Sequence, residues 1–407
     1  MKGDILFLAH RLPFPPDRGD KIRSHHVLKA LAELAPVHVG CLAESEWDSA
    51  HGHELAAIAA SHCLPLRSKP LALAGVEAML RREPVSLAAF RSIGLHNWVR
   101  RTLAEQNIGA IYVFSGQMGQ YVPVEPTVRL VVDLVDVDSA KFEAYAEGKS
   151  TPRAWIDARE GRLLRQVEAD LIARADTTLL VSEAEAAMLR SRVSGKHDIR
   201  ALGNGIDCTF FDPAKVKSHP ALAEPGPHLV FTGQMDYAPN VAAVQRMAQA
   251  VMPEVRHFLP TARFHIVGRA PSREVLALHG LNGTSVVGEV PDTRPWLAGA
   301  DIVVAPLTIA RGVQNKVLEA MAMARPVVVS PDAATGIDAR SNGHFVIARN
   351  DAAFVTDIVR LSQDSATAKE LGEEARRFVL DTMSWPAMLA DLPALMGMGE
   401  SAKRDAA

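Results

Sequence analysis

The sequence predicts an α/β protein with two doubly wound lobes, and three observations predict it. Short apolar runs without polar alternation recur along nearly the whole chain, as parallel strands covered on both faces require. Segments of helical periodicity lie between them, giving the strand–helix–strand order that builds doubly wound sheets. The series is interrupted once, where Pro213, Pro220, Pro225, Gly226 and Pro227 stop both helix and ladder.

In order, the first half offers strands at 5–9, 37–41, 110–114, 130–135 and 178–181. The second half offers 229–232, 263–267, 285–287, 302–305, 326–330 and 345–347. Helical patterns cover 22–34, 153–174, 241–257, 315–324 and 367–380. This places a Rossmann-like lobe at 1–212, a linker at 213–226 and a second Rossmann-like lobe at 227–384. Residues 385–407 are free to pack back on the first lobe. The strand ends of the two lobes are expected to face each other across a cleft, where α/β proteins bind ligands.

Length and composition agree. The 407 residues suit two or three domains at about 150 residues each. A net charge of −3 provides no global basic field, so a nucleic-acid partner is not expected. Cys41, Cys63 and Cys208 form no Cys-x-x-Cys pair, which argues against a disulfide scaffold and a zinc ribbon. No apolar run approaches the ~20 residues of a membrane span. The N-terminus enters Ile5-Leu6-Phe7-Leu8-Ala9 as a strand and not as a signal peptide, so a cytoplasmic protein is expected.

The strongest local signal is Ala310-Arg311-Gly312-Val313-Gln314-Asn315-Lys316-Val317-Leu318-Glu319. It ends a strand and opens a helix, and helix N-termini favour phosphate oxygens. Lys316 adds a full charge in the first turn. Glu319, one turn on, has a carboxylate able to accept both hydroxyls of a ribose. A solvated Lys–Glu surface on an ordinary helix is the competing interpretation. The second signal is the loop 10–23, stiffened by Pro13, Pro15 and Pro16, made electropositive by Arg18, Lys21 and Arg23, and with Gly19 just before a helix. It lacks Gly-x-Gly-x-x-Gly, so a nicotinamide or flavin site has little support.

Asp133, Asp136 and Asp138 end a buried-looking strand, where α/β active sites form, and at most one is expected to be a catalytic carboxylate. Asp136-Val137-Asp138 also spells Asp-x-Asp, a pattern able to hold Mg²⁺ or Mn²⁺ against a diphosphate. Gly203-Asn204-Gly205 reads as a turn, and Ser182-Glu183-Ala184-Glu185 as a capping box. None of the 15 histidines makes a metal pair, and no Gly-x-Ser-x-Gly elbow is present. Residues 62–102 carry Arg67, Lys69, Arg81, Arg82, Arg91, Arg100 and Arg101 against Glu77 and Glu83, interleaved with Leu71, Leu73, Val76, Met79 and Leu80. Such a segment suits anionic lipid headgroups or a lipid diphosphate, and equally a solvated helix face.

The 312–322 helix, Asn204-Gly205-Ile206-Asp207, Val181-Ser182-Glu183 and Phe231-Thr232-Gly233 together resemble the family-4 retaining glycosyltransferases of the GT-B fold. With Gln234-Met235-Asp236-Tyr237-Ala238-Pro239-Asn240 and Val135-Asp136-Val137-Asp138-Ser139, the chain is similar to the sugar transferases of PEP-CTERM/exosortase exopolysaccharide clusters. The resemblance covers nearly the whole chain. It implies that the second lobe binds a nucleotide-diphosphate sugar, that the first binds a saccharide or lipid-linked acceptor, and that no cofactor or metal is needed.

Carried over, Glu319 matches the carboxylate that holds the ribose. Lys316, Gly312 and Val313 would meet the pyrophosphate or sugar, Gly233 would line the phosphate site and Val290 would contact the base. Gly19 matches a first-lobe glycine that approaches the donor, with Arg18 and Lys21 on the acceptor side. Asp133 or Asp136 falls near a first-lobe polar residue implicated in catalysis. One departure stands out: the family pattern is Glu-x7-Glu, and Arg311 occupies the first position. Arg311 is therefore expected to touch an anionic group, either the pyrophosphate or a charged sugar. The resemblance further implies retention of anomeric configuration and exopolysaccharide biosynthesis, and the basic 62–102 segment suggests peripheral contact with the inner face of the membrane. A non-hydrolysing sugar-nucleotide epimerase, a nucleotide-sugar-binding protein without turnover, and a metal-dependent transferase using Asp136 and Asp138 are the rivals.

Overall fold

The computed structural model describes residues 2–310 and 312–398. The chain divides into two compact units, one formed by residues up to Asn204 together with those from Met388 on, the other by Gly205–Ala387.

The first unit holds seven strands: β1 (Asp4–Ala9), β2 (Val37–Cys41), β3 (Ser61–Cys63), β4 (Ile108–Phe114), β5 (Arg129–Val135), β6 (Thr177–Leu180) and β7 (Ile199–Ala201). All their pairings are parallel, in the order β3-β2-β1-β4-β5-β6-β7. The second unit holds β8 (His228–Thr232), β9 (Arg263–Val267), β10 (Thr284–Gly288), β11 (Ile302–Ala305), β12 (Val327–Val329) and β13 (Val346–Ile347). These are also parallel, in the order β10-β9-β8-β11-β12-β13. Both are doubly wound Rossmann-like sheets. The chain reverses its direction of growth between β1 and β4 in one, and between β8 and β11 in the other, which are the positions where such sheets take ligands.

The strands are where the apolar runs placed them because nearly every side chain of β1, β2, β8, β11 and β12 is buried. The helices used below are α1 (Gly19–Leu34), α2 (Leu71–Arg81), α3 (Asp138–Ala146), α4 (Pro152–Arg174), α5 (Ala238–Arg246) and α6 (Asn315–Ala322). Pro152 opens α4 in the first turn, where its missing N–H costs nothing, and Thr151 Oγ1 caps it by accepting from Ala154 N at 3.2 Å.

The units divide between Asn204 and Gly205, upstream of the 213–226 segment expected to separate them. The reason is local packing. Ile206 N donates to Met383 O at 2.8 Å, and Arg376 Nη1 donates to Phe211 O at 2.9 Å. Within the proline-rich stretch Leu222 is buried and His219 stacks on Trp296 with centroids 4.1 Å apart. Pro213 and Pro220 each open a short 3₁₀ turn here, Pro213–Lys215 and Pro220–Ala223, and the segment stays packed in the second unit. Residues 388–398 belong to the first unit, where Arg129 Nε donates to Leu395 O at 2.5 Å. Among the described residues no helix is long and apolar enough to cross a membrane.

Candidate functional site

In the second unit, chemistry gathers at the C-terminal ends of β8, β9, β10 and β11. Gly233 follows β8 with φ +157°, and a Cβ built on it would lie 2.9 Å from both Asn240 Nδ2 and Lys316 Nζ. Gly268 follows β9, and a Cβ there would overlap the Gly233 carbonyl. Gly233 N donates to Val267 O at 3.1 Å and Gly268 N to Gly288 O at 2.7 Å, so bare backbone laces three strand ends into a floor.

Above that floor stands α6. Its Val317, Leu318, Ala320 and Met321 are buried against the sheet. Lys316 and Glu319, three residues apart, share the remaining face. Lys316 Nζ donates to Asn240 Oδ1 at 2.6 Å, Asn240 Nδ2 donates onward to Gln234 O at 2.9 Å, and the ammonium lies 4.1 Å from the Phe231 ring centroid. Burial draws the Lys316 ammonium down to about 8, against the opposing pull of Glu319. Burial likewise lifts the Glu319 carboxyl to about 7, against the neighbouring Lys316.

Gly233, Val290, Val313, Lys316 and Glu319 line one pocket of about 540 Å³, within the usual range for small-molecule sites. Thr232, Asn240, Arg269 and Glu289 are among the polar residues of its wall, and the buried Thr232 Oγ1 has no hydrogen-bond partner among the described residues. Gly312, exposed at φ +64°, adjoins Val313 at the rim. Arg311 lies outside the described residues. Asn240 and Arg269 received no role from sequence, although Asn240 ends the Met235–Asn240 stretch; only its side-chain contact with Lys316 reveals the part it plays. A second cavity of about 660 Å³, lined by His228, Asp301 and Pro326, sits at the N-terminal ends of β8, β11 and β12, the end of an α/β sheet that does not build its ligand site.

The first unit changes how several expected residues read. Asp133, a candidate catalytic carboxylate, is completely buried. It accepts from Arg23 Nε at 2.9 Å, from Arg23 Nη2 at 3.1 Å and from Tyr112 Oη at 2.8 Å. Its oxygens are occupied by the protein itself, so it braces the strand end and does not reach a ligand. Arg23 does not make the loop electropositive either. Its Nη1 donates to Leu202 O at 2.8 Å and Asn204 Oδ1 at 2.9 Å, which ties the Asn204 turn to α1. Lys21, placed on the acceptor side by the sequence, is buried and donates to Asp48 Oδ1 at 3.0 Å and to Phe14 O at 3.4 Å, because from the first turn of α1 it packs against the Glu46–Ala50 helix and the loop before α1. Arg18 is half-exposed but engaged by Glu44 at 2.7 Å and Asp20 at 3.2 Å. A Cβ at exposed Gly19 would meet nothing within 4 Å, so no close approach within this unit requires glycine there.

Of Asp133, Asp136 and Asp138, Asp136 is the one that is exposed. Burial of its carboxyl, then the charges of Glu185 and Asp138, raise it above the ordinary aspartate value. Val135 just before it has φ +69°, a left-handed conformation rare for a β-branched residue. Glu185 does not complete a capping box: Ser182 Oγ accepts from Glu185 N at 3.2 Å, while the Glu185 carboxylate accepts from Val137 N at 2.9 Å. Among the described residues no group of three His, Cys, Asp or Glu is placed to hold a metal ion.

Residues 226–364 match the family model for Glycosyl transferases group 1. That span contains every residue of the 540 Å³ pocket. The phosphatidyl-myo-inositol mannosyltransferase of Propionibacterium freudenreichii subsp. shermanii is 28% identical over 169 residues, 42% of this chain and 42% of that protein's own length. The chain therefore matches less than half of that curated relative. Among solved structures, the sucrose-phosphate synthase of Thermosynechococcus elongatus superposes with a TM-score of 0.60 at 17% identity, covering 98% of this chain and 100% of that one. Anabaena HepE in complex with UDP superposes with a TM-score of 0.62 at 14% identity, covering 97% and 99%. Two Rossmann-like units of the GT-B type are thus the fold of this chain.

Proposed function

We propose that this protein is a glycosyltransferase that moves a sugar from a nucleotide-diphosphate sugar to a saccharide or lipid-linked acceptor with retention of anomeric configuration. The reading includes a family-4 enzyme of exopolysaccharide biosynthesis in the cytoplasm, touching the cytoplasmic membrane peripherally. The observation that carries it is the pairing of Lys316 and Glu319 on one face of α6, inside a pocket at the C-terminal strand ends. The glycosyltransferase model over 226–364 supports the same pocket.

The chemistry follows from charge. Breaking the anomeric C–O bond releases a nucleotide diphosphate, and fixed positive charge stabilises that leaving group as it forms. The Lys316 ammonium, pinned by Asn240 and by the Phe231 face, is pre-placed for a phosphate oxygen, and the first amides of α6 add their partial charge. The Glu319 carboxylate accepts the ribose hydroxyls, and Val290 flanks the base. With retention, the acceptor attacks from the leaving-group side and gives its proton to a phosphate oxygen, so no protein nucleophile takes part. Arg311 is assigned to an anionic group of the donor, and Asp136, the exposed one of the three strand-end aspartates, to the acceptor.

The test is calorimetric titration with UDP, GDP and ADP, followed by donor turnover with and without a saccharide acceptor. Tight binding of one diphosphate and acceptor-dependent release of it are expected, with turnover unchanged by EDTA. Binding lost in Arg311→Ala supports the anionic contact. An epimerised donor without acceptor would replace the transferase with an epimerase, and absence of diphosphate binding would end the reading.

A further inference from the structure

Helix α2 is inside out. Its buried positions are Ala74 and Ala78, one turn apart, while Leu71, Leu73, Val76, Met79 and Leu80 are all exposed, Leu80 by 81%. A helix that folds by burying its apolar stripe does the reverse. The neighbouring helix α4 extends the same surface with Trp155, 61% exposed, and Ile156, 51% exposed. The two helices are locked together, since Arg159 donates to Ala78 O at 3.0 Å and Glu83 O at 3.2 Å, and Glu160 accepts from Val85 N at 2.8 Å. Between them lies a hollow of about 760 Å³ walled by Met79, Trp155, Arg82 and Arg162.

The acids of α2 and of the turn after it are taken up by cations. Glu77, the sole acid of α2, is taken up by Lys69 at 2.6 Å and Arg91 at 2.7 Å, and Glu83 by Arg91 at 2.5 Å. Arg82 and Arg162, by contrast, have no carboxylate partner among the described residues, and Arg153 is 91% exposed with Asp157 only at 4.0 Å. Large apolar side chains with an indole among them, rimmed by arginines whose charge is not cancelled, match the boundary between acyl chains and anionic headgroups.

We propose that the α2–α4 face docks this protein on the surface of an anionic phospholipid bilayer, with Leu73, Val76, Leu80 and Trp155 entering the acyl boundary and Arg82, Arg153 and Arg162 meeting headgroup phosphates. This gives the membrane contact of the function proposed above a defined surface and rests on that reading for its cytoplasmic location. Of the basic residues at 62–102, Arg67, Lys69 and Arg91 are not part of its rim, because Glu44, Glu77 and Glu83 engage them, whereas Arg82 is.

The experiment is co-sedimentation of the full-length protein with vesicles, without donor or acceptor, so it reads independently of turnover and nucleotide binding. Equimolar phosphatidylglycerol and phosphatidylcholine are expected to retain the protein, and phosphatidylcholine alone to retain little. Leu80→Glu and Trp155→Ser should each abolish retention. Arg82→Glu should lower it about fivefold or more, the scale of one basic residue at an anionic leaflet. All three positions are exposed, and unchanged melting temperatures show that the variants fold. Indole emission should shift to the blue on vesicles in the wild type and not in Trp155→Phe. Absence of retention, retention that ignores composition or these variants, or a stable dimer dissolved by Leu80→Glu would each overturn the proposal.

Discussion

Lys316 and Glu319 are a cation and an anion on one face of α6 whose proton affinities burial has driven toward each other, the lysine down to about 8 and the glutamate up to about 7. The lysine is charged below its value and the carboxyl is ionised above its own. Both are in the form a nucleotide diphosphate needs only between about pH 7 and 8. Affinity for the diphosphate is therefore expected to follow a bell with its top in that interval. Titration calorimetry across the pH range checks it, and a flat profile would remove both groups from the site.

Glu319 should also cost the unliganded protein stability. Its carboxyl rises from an ordinary 4.5 to about 7 on folding, so the folded state binds the proton more tightly. Stability then falls as pH rises through that interval, and the loss is complete above about 7. Glu319→Gln removes the buried charge and is expected to stabilise the protein at pH 8 by about 1–3 kcal/mol while leaving stability at pH 4 nearly unchanged. Diphosphate affinity should fall at least about tenfold in the same variant, through loss of ribose hydrogen bonds to a charged acceptor. Urea unfolding at the two pH values together with calorimetry separates the effects.

The two glycines of the pocket floor should fail differently. A methyl at Gly233 meets the ends of two side chains, Asn240 and Lys316, which can yield. Gly233→Ala is expected to fold, with a stability loss of about 1–2 kcal/mol, and to lose diphosphate binding as Lys316 is pushed aside. A methyl at Gly268 meets the Gly233 carbonyl, which is backbone and cannot step away without breaking the lacing of β8 to β9. Gly268→Ala should lose about 3 kcal/mol or more, seen as a fall in melting temperature.

The central strands were legible in the sequence because a strand buried on both faces must be apolar throughout, and Ile302–Ala305 or Val37–Cys41 can be little else. The edge strands Ser61–Cys63 and Ile199–Ala201 were not, since a strand paired on one side only needs no such run. The Lys316–Glu319 face was readable from its spacing, but Asn240 was not, because its partner is 76 residues away. Arg23 carries a sequence signal of its own. It stands four and eight residues before the buried Val27 and Leu31, on the inward stripe of α1, where charge demands a partner.

That partner gives the last prediction. Arg23 and Asp133 make a bidentate pair with both side chains essentially without solvent contact, and Tyr112 adds a third donor to the carboxylate. Burial, then the Asp133 charge, holds the Tyr112 phenol far above its ordinary value, so it remains a donor at any working pH. Removing one member strands the other in a medium that cannot solvate it. Asp133→Asn and Arg23→Met are each expected to cost about 3–5 kcal/mol. The double variant Arg23→Met/Asp133→Leu, which leaves no buried charge, should recover a large part of that loss. Chemical denaturation of the three proteins makes the comparison. If Asp133→Asn instead unfolded like the wild type and lost only turnover, Asp133 would be a catalytic carboxylate after all, and the bracing role drawn from its hydrogen bonds would be wrong.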